Sequence, residues 1–190
     1  MRFILTRSVL LLLFFVSLSS AAWAQGVFVD SVDLAGTIGF NSHSGIDNSL
    51  HPSFTGSGAY NLWGKLAAFG ELGYQSAGST LATKESITIA GGGVRYYFKQ
   101  FNRIAPYVVG AGGFNRLNRT TIGQGVNNAS NGGYFGGGGG ASLYLNENFG
   151  IRPELRYQRE LIGVASSFNE VQGSVSVFFQ FGGSAPSSKK

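Results

Sequence analysis

Few residues in this 190-residue chain can do chemistry. It has no Cys, which excludes disulfides, thiolate zinc sites and cysteine nucleophiles together. Its two histidines, His43 and His51, fall in one polar segment, Ser42 to Thr55, that reads as a loop. A His-carboxylate site there would need Asp47 or Asp30, and loop histidines are ordinarily solvated, so no metal and no cofactor is expected. The glycine-rich run from Gly132 to Gly140 lacks the Lys-Ser/Thr and the helix of a phosphate loop, which argues against nucleotide binding. The remaining constellation is ionic: Asp33, Glu71, Arg95, Arg152, Glu154 and Arg156, three acids and three bases.

These six ions sit in segments that read in twos. From Phe149 to Leu161, Phe149, Ile151, Pro153, Leu155 and Tyr157 hold one parity, while Arg152, Glu154, Arg156, Gln158 and Glu160 hold the other. Such alternation is the mark of a strand with one apolar and one polar face. The pattern recurs over Val32–Asn41 and Val171–Phe181. Five further strands are expected at about Gly56–Trp63, Leu66–Gln75, Ile87–Phe98, Ile104–Asn115 and Gly133–Leu145. The connections alternate between short ones (Gly64-Lys65, Lys99 to Arg103, Asn146 to Asn148) and long ones (Ser42 to Thr55, Ser76 to Ser86, Arg116 to Gly132, Ile162 to Glu170). The fold class is therefore all-β: an eight-stranded antiparallel up-and-down barrel that crosses a membrane, with short periplasmic turns and long extracellular loops.

A soluble barrel alternates too, and the aromatic residues choose between the two. On the apolar parity Phe98, Phe149 and Phe181 lie beside the short turns, and Phe40, Tyr74, Phe135 and Tyr157 toward the long connections, which gives two girdles facing lipid. The ions then point into a lumen only wide enough for side chains, where they must pair. The glycines of the run Gly136 to Gly140 are expected to alternate between the two sides. Residues 1–24 have a signal-peptide layout: Arg2 and Arg7, then an apolar run, then Ala22-Trp23-Ala24. Residues 25–181 form the barrel domain, and Gly182–Lys190 reads as a disordered periplasmic tail. Without the leader there are 12 basic and 9 acidic groups, too small a surplus to imply nucleic acid.

The strands Leu66–Tyr74, Ala90–Phe98, Pro106–Gly113 and Gly150–Tyr157 and the final strand ending at Phe181 resemble the eight-stranded outer-membrane β-barrel family, of the OmpA-like and OmpX-like kind. The resemblance implies a monomer in the outer membrane, with outer-membrane lipid and lipopolysaccharide around it. It also implies insertion by the barrel-assembly machinery, with Phe181 resembling the terminal signal although residues follow it. Family members include anchors, adhesins, narrow channels and lipid A-modifying enzymes. His51-Pro52-Ser53 has the spacing of the deacylase motif, but Lys65 stands about where the orienting Glu belongs, so no catalytic residue and no enzyme activity is expected. The expectation is a structural or surface-interaction role through the long loops, toward an unknown surface ligand. A narrow channel for small or apolar solutes is the alternative. Arg116 and Arg119, the only basic residues in the third long connection, are the candidate lipopolysaccharide contacts.

Overall fold

The computed structural model describes residues 29–44, 47–63, 65–79, 83–121, 127–162 and 166–184. The expected signal peptide and the last six residues of the expected tail lie outside them. Eight strands follow one another: β1 (Val29–Ser44), β2 (Asp47–Trp63), β3 (Leu66–Ser79), β4 (Thr83–Tyr97), β5 (Ile104–Thr121), β6 (Asn127–Tyr144), β7 (Phe149–Ile162) and β8 (Ser166–Ser184). Each pairs antiparallel with the next, and β1 closes on β8. A closed barrel leaves no strand edge unpaired, which a lipid environment requires.

Alternation sets the two faces. Along β7, Arg152, Arg156, Gln158 and Glu160 are buried in the lumen, while Leu155, Tyr157 and Leu161 are exposed outside. The outward side carries one aromatic band of Tyr60, Trp63, Tyr96, Phe98, Phe179 and Phe181, and a second of Phe40, Phe54, Tyr74, Phe114, Phe135 and Tyr157. Between them lie aliphatic residues such as Leu34, Leu72, Val94, Val108 and Val175. An apolar wall between two aromatic girdles defines a transmembrane barrel.

The outer end differs from expectation. The segments read as long loops are mostly paired strand: outside the strands at that end lie only positions 45–46, 80–82, 122–126 and 163–165. His43 is in β1, His51 in β2, and Arg116 and Arg119 are in β5. The strands have 14 to 19 residues. At about 3.3 Å per residue and a tilt of about 40° they rise roughly 35–48 Å, well above an apolar band of about 25 Å. Beyond the membrane the polar exterior removes the apolar alternation that marks a strand in the sequence. β8 likewise continues past Phe181 to Ser184, pairing Gly182 with Ser31 and Ser184 with Val29.

In this projecting part the outer face becomes mostly polar, and an apolar cluster joins the polar side chains inside. Ala77, Ile87, Ile89, Tyr134, Ile162 and Phe168 form a buried apolar cluster inside, with Leu117 packed on it. Outside, Thr88, Arg116, Asn131 and Arg159 are exposed. Nearer the periplasm a second inward apolar cluster, with Phe69, Tyr97, Tyr107, Tyr144 and Phe178, packs among the ions.

The inward glycines make room in the lumen. Gly136, Gly138 and Gly140 share the inward register with Gln158, Arg156 and Glu154. A Cβ on Gly140 would stand 2.7 Å from the Tyr107 hydroxyl, and one on Gly113 would stand 2.9 Å from the Tyr134 ring. Tyr107 and Tyr134 lie against bare backbone, and so reach the ions.

Candidate functional site: the charged lumen and its outer end

All six ions singled out in the sequence point into the lumen, in two groups. Nearer the periplasmic end, Arg152 Nη2 donates to Asp33 Oδ2 at 2.8 Å and its Nε to Ser142 Oγ at 3.0 Å, while its guanidinium lies 4.4 Å over the Phe178 ring. Asn61 Nδ2 also donates to Asp33, at 3.2 Å. β1 supplies Asp33, β7 Arg152 and β8 Phe178, so this group ties the strands that close the barrel.

Higher up, Arg156 is clamped between two carboxylates. Its Nη1 donates to both Glu71 oxygens at 2.9 Å, and its Nε donates to Glu154 Oε1. Tyr134 donates to Glu71 at 2.9 Å and Tyr107 to Glu154 at 2.6 Å. Arg95 is held less firmly. It lies 4.0 Å from Glu154 and stacks 4.3 Å over Phe69, and its Nε and Nη1 have no hydrogen-bond partner. Cation–π contact offsets part of that deficit. Three acids face three bases in these two groups.

Above them lies a cluster that the sequence reading did not assemble. His43 is fully buried, its Nε2 3.2 Å from Glu170 Oε2. Donor atoms of His43, Glu160 and Glu170 all come within 4.8 Å of one another. The strand registers create this: closure of β1 on β8 places His43 opposite Glu170, and β7–β8 pairing places Gln158 beside Glu170. Of the two expected carboxylate partners, Asp47 stands opposite His43 in the β1–β2 register, while Asp30 lies at the far end of β1. Glu160 already stood on the charged parity of its strand. Glu170 lay in a segment read as a loop, and nothing local connects it to His43, 127 residues earlier.

Around this cluster amides hold the carboxylates. Gln75 Nε2 donates to Glu170 Oε1 at 3.3 Å, and Asn115 Nδ2 to Glu160 Oε2 at 2.9 Å. Asn41 Nδ2 lies 3.1 Å from His43 Nε2 and donates to Gln75 Oε1 at 3.4 Å. Phe168 meets the His43 ring edge-on at 5.3 Å.

The candidate hydrolytic pair does not face lipid. Ser53 is buried in the lumen, where it accepts a hydrogen bond from Gln172 Nε2 at 3.1 Å, and the His51 ring lies 6.4 Å from that of His43. Arg116 and Arg119 are exposed. Arg119 Nε donates to Glu85 at 2.6 Å. Arg116 lies two positions beyond Phe114 of the outer aromatic band, and Arg159, which sequence reading passed over, pairs with Phe135 of the same band.

Fold and faces together define the class: an eight-stranded outer-membrane-type β-barrel. Solved structures agree. Neisserial surface protein A (NspA) superposes with a TM-score of 0.66 at 17% identity, over 80% of this chain and 96% of that one. The N-terminal barrel of Pseudomonas aeruginosa OprF gives 0.52 at 19% identity, over 81% and 99%. The attachment invasion locus protein Ail of Yersinia pestis gives 0.51 at 12%, over 80% and 97%, and has also been solved with the heparin analogue sucrose octasulfate. At these identities the likeness is one of fold. No protein-family model matches the sequence, and no curated protein matches it.

Proposed function

We propose that this chain is an outer-membrane protein with a structural or surface-interaction role, and that its projecting rim engages the phosphate-bearing outer leaflet. The observation that carries this reading is the placement of Arg116 and Arg159 on the exterior beside Phe114 and Phe135 of the outer aromatic band. Arg119, three positions on, falls on the parity of Asn115 and Leu117 at the rim and shares its charge with Glu85. Guanidinium groups bind phosphate through charge-assisted, often bidentate bonds. That Ail, a barrel of the same fold, was solved with a polysulfated ligand is in keeping with an anionic partner. Export through residues 1–24 and insertion by the barrel-assembly machinery, with exposed Phe181 at the periplasmic girdle, complete the reading.

The lumen supports a closed barrel rather than a channel, because paired ions and the tyrosines bonded to them occupy its middle. The inward position of Ser53 supports a non-enzymatic barrel, since an acyl ester in the membrane would meet the opposite face.

Association of the purified protein with vesicles containing lipopolysaccharide tests the reading. Replacing Arg116, Arg119 and Arg159 together by Ala should weaken association several-fold, and added salt should weaken the wild type in the same way, since exposed charges are screened beyond roughly 10 Å at 0.1 M salt. Unchanged association in the triple variant removes the proposal. In planar bilayers the wild type should be silent, with conductance appearing once Glu154 and Arg156 are both cut to Ala. Steady wild-type conductance would promote the channel alternative.

A further inference from the structure

The geometry points to a divalent transition-metal site, suited to Zn2+, formed by His43, Glu160 and Glu170 where the ionic lumen meets the apolar core of the rim. The two carboxylates there must either share a proton or take up a cation. Two buried carboxylates face one imidazole, and Arg156, the cation of the layer beneath, is already engaged by Glu71 and Glu154. A 2+ ion with two carboxylates and a neutral imidazole sums to zero, the condition a buried site favours.

His43 and Glu170 are spaced as ligands, with the Glu160 oxygen within 4.8 Å of both. His43 Nε2 and Glu170 Oε2 stand 3.2 Å apart, yet that oxygen receives no hydrogen bond. With metal bonds of about 2.0–2.1 Å, two tetrahedral ligand atoms are separated by about 3.3 Å. Each carboxylate has one oxygen held by an amide, Glu170 Oε1 by Gln75 and Glu160 Oε2 by Asn115, and Glu170 Oε2 has no hydrogen-bond partner. Such outer bonds orient ligands and are part of most protein metal sites. Asn41 Nδ2 lies 3.1 Å from His43 Nε2 and 3.5 Å from its Nδ1. Upon metal binding Asn41 retains its bond to Gln75. An imidazole with two carboxylates suits a first-row divalent ion, whereas Ca2+ and Mg2+ prefer oxygen alone.

The site spans the closing seam. Its ligands come from β1, β7 and β8, so the ion would clip first strand to last at the outer end. Phe168, in one apolar cluster with Ile162, packs against the His43 ring, which makes loading easiest while the barrel folds.

The test is to fold the full mature chain in detergent with Zn2+, remove free metal and measure bound metal, with Co2+ as a spectroscopic substitute and Ca2+ as the contrast. The expected result is one equivalent of Zn2+, a Co2+ visible spectrum of mixed nitrogen and oxygen ligation, and a higher temperature for the folded-to-unfolded shift on gels. Glu170→Gln, Glu160→Gln and His43→Ala should each abolish all three. Asn115→Ala should weaken affinity about 10–100-fold. The two Glu→Gln variants keep side-chain volume and remove a buried charge, so they decide the matter should His43→Ala fail to fold. No bound Zn2+ in the folded wild type, equal uptake of Ca2+, or full retention of Zn2+ by both Glu→Gln variants would overturn the site.

Discussion

The membrane-embedded band and the projecting rim are built from the same eight strands and differ most on their outer face. In the band the outside is aliphatic and aromatic, while the inside packs paired ions among Phe69, Tyr97, Tyr144 and Phe178. In the rim Ile87, Ile162 and Phe168 turn inward, and Arg116 and Arg159 turn outward. The backbone does not change between them. What changes is the solvent outside, and the side chains follow it. The charge balance changes as well: acids and bases match in the band, whereas Glu160 and Glu170 at the boundary have only His43 for company.

The sharpest way to break this contrast is to remove a cation from the balanced layer. Arg156→Met strands Glu71 and Glu154, and should destabilise the barrel by about 3–5 kcal/mol in a urea titration in micelles or vesicles. A loss under about 1 kcal/mol would mean that water, not Arg156, satisfies those carboxylates. Next in size is the wall. Leu155→Arg places a charge on the lipid face and should cost about 2–4 kcal/mol near the midplane. Arg159→Ser, four positions along the same outward parity of β7, should stay within about 0.5 kcal/mol, because that position meets water and head groups. Equal losses at 155 and 159 would erase the distinction between band and rim.

The third effect has the opposite sign. Without metal, Glu170→Gln removes one of two adjacent buried acids and should stabilise by about 0.5–2 kcal/mol. Glu154→Gln, which strips Arg156 and Arg95 of their shared partner, should destabilise. If both substitutions move the unfolding midpoint the same way, the two layers are electrostatically alike.

Much of the band could be read from one dimension. The ends nearest the periplasm were legible to the residue at Trp63, Leu66, Ile104 and Phe149, because there an apolar exterior, a polar interior and a short turn coincide. All six ions on the polar parity point inward for the same reason. The outer ends were not legible. From Arg116 to Thr121, and from Asn127 to Gly132, the exterior is polar, glycine and asparagine are frequent, and no two-residue rhythm of hydrophobicity remains, although the ladder continues.

Parity is a local property, so residue order alone determined which side of the wall each side chain of the band occupies, and with it the membrane-spanning class. Which ions meet is a property of register. Arg152 reaches Asp33 across 119 positions, and His43 faces Glu170 across the closing seam, only because the first strand pairs with the last at one particular offset. A slip of two residues would keep every face and lose both contacts. The tertiary structure alone decided that offset, because closure requires all eight ladders to satisfy their backbone bonds at once.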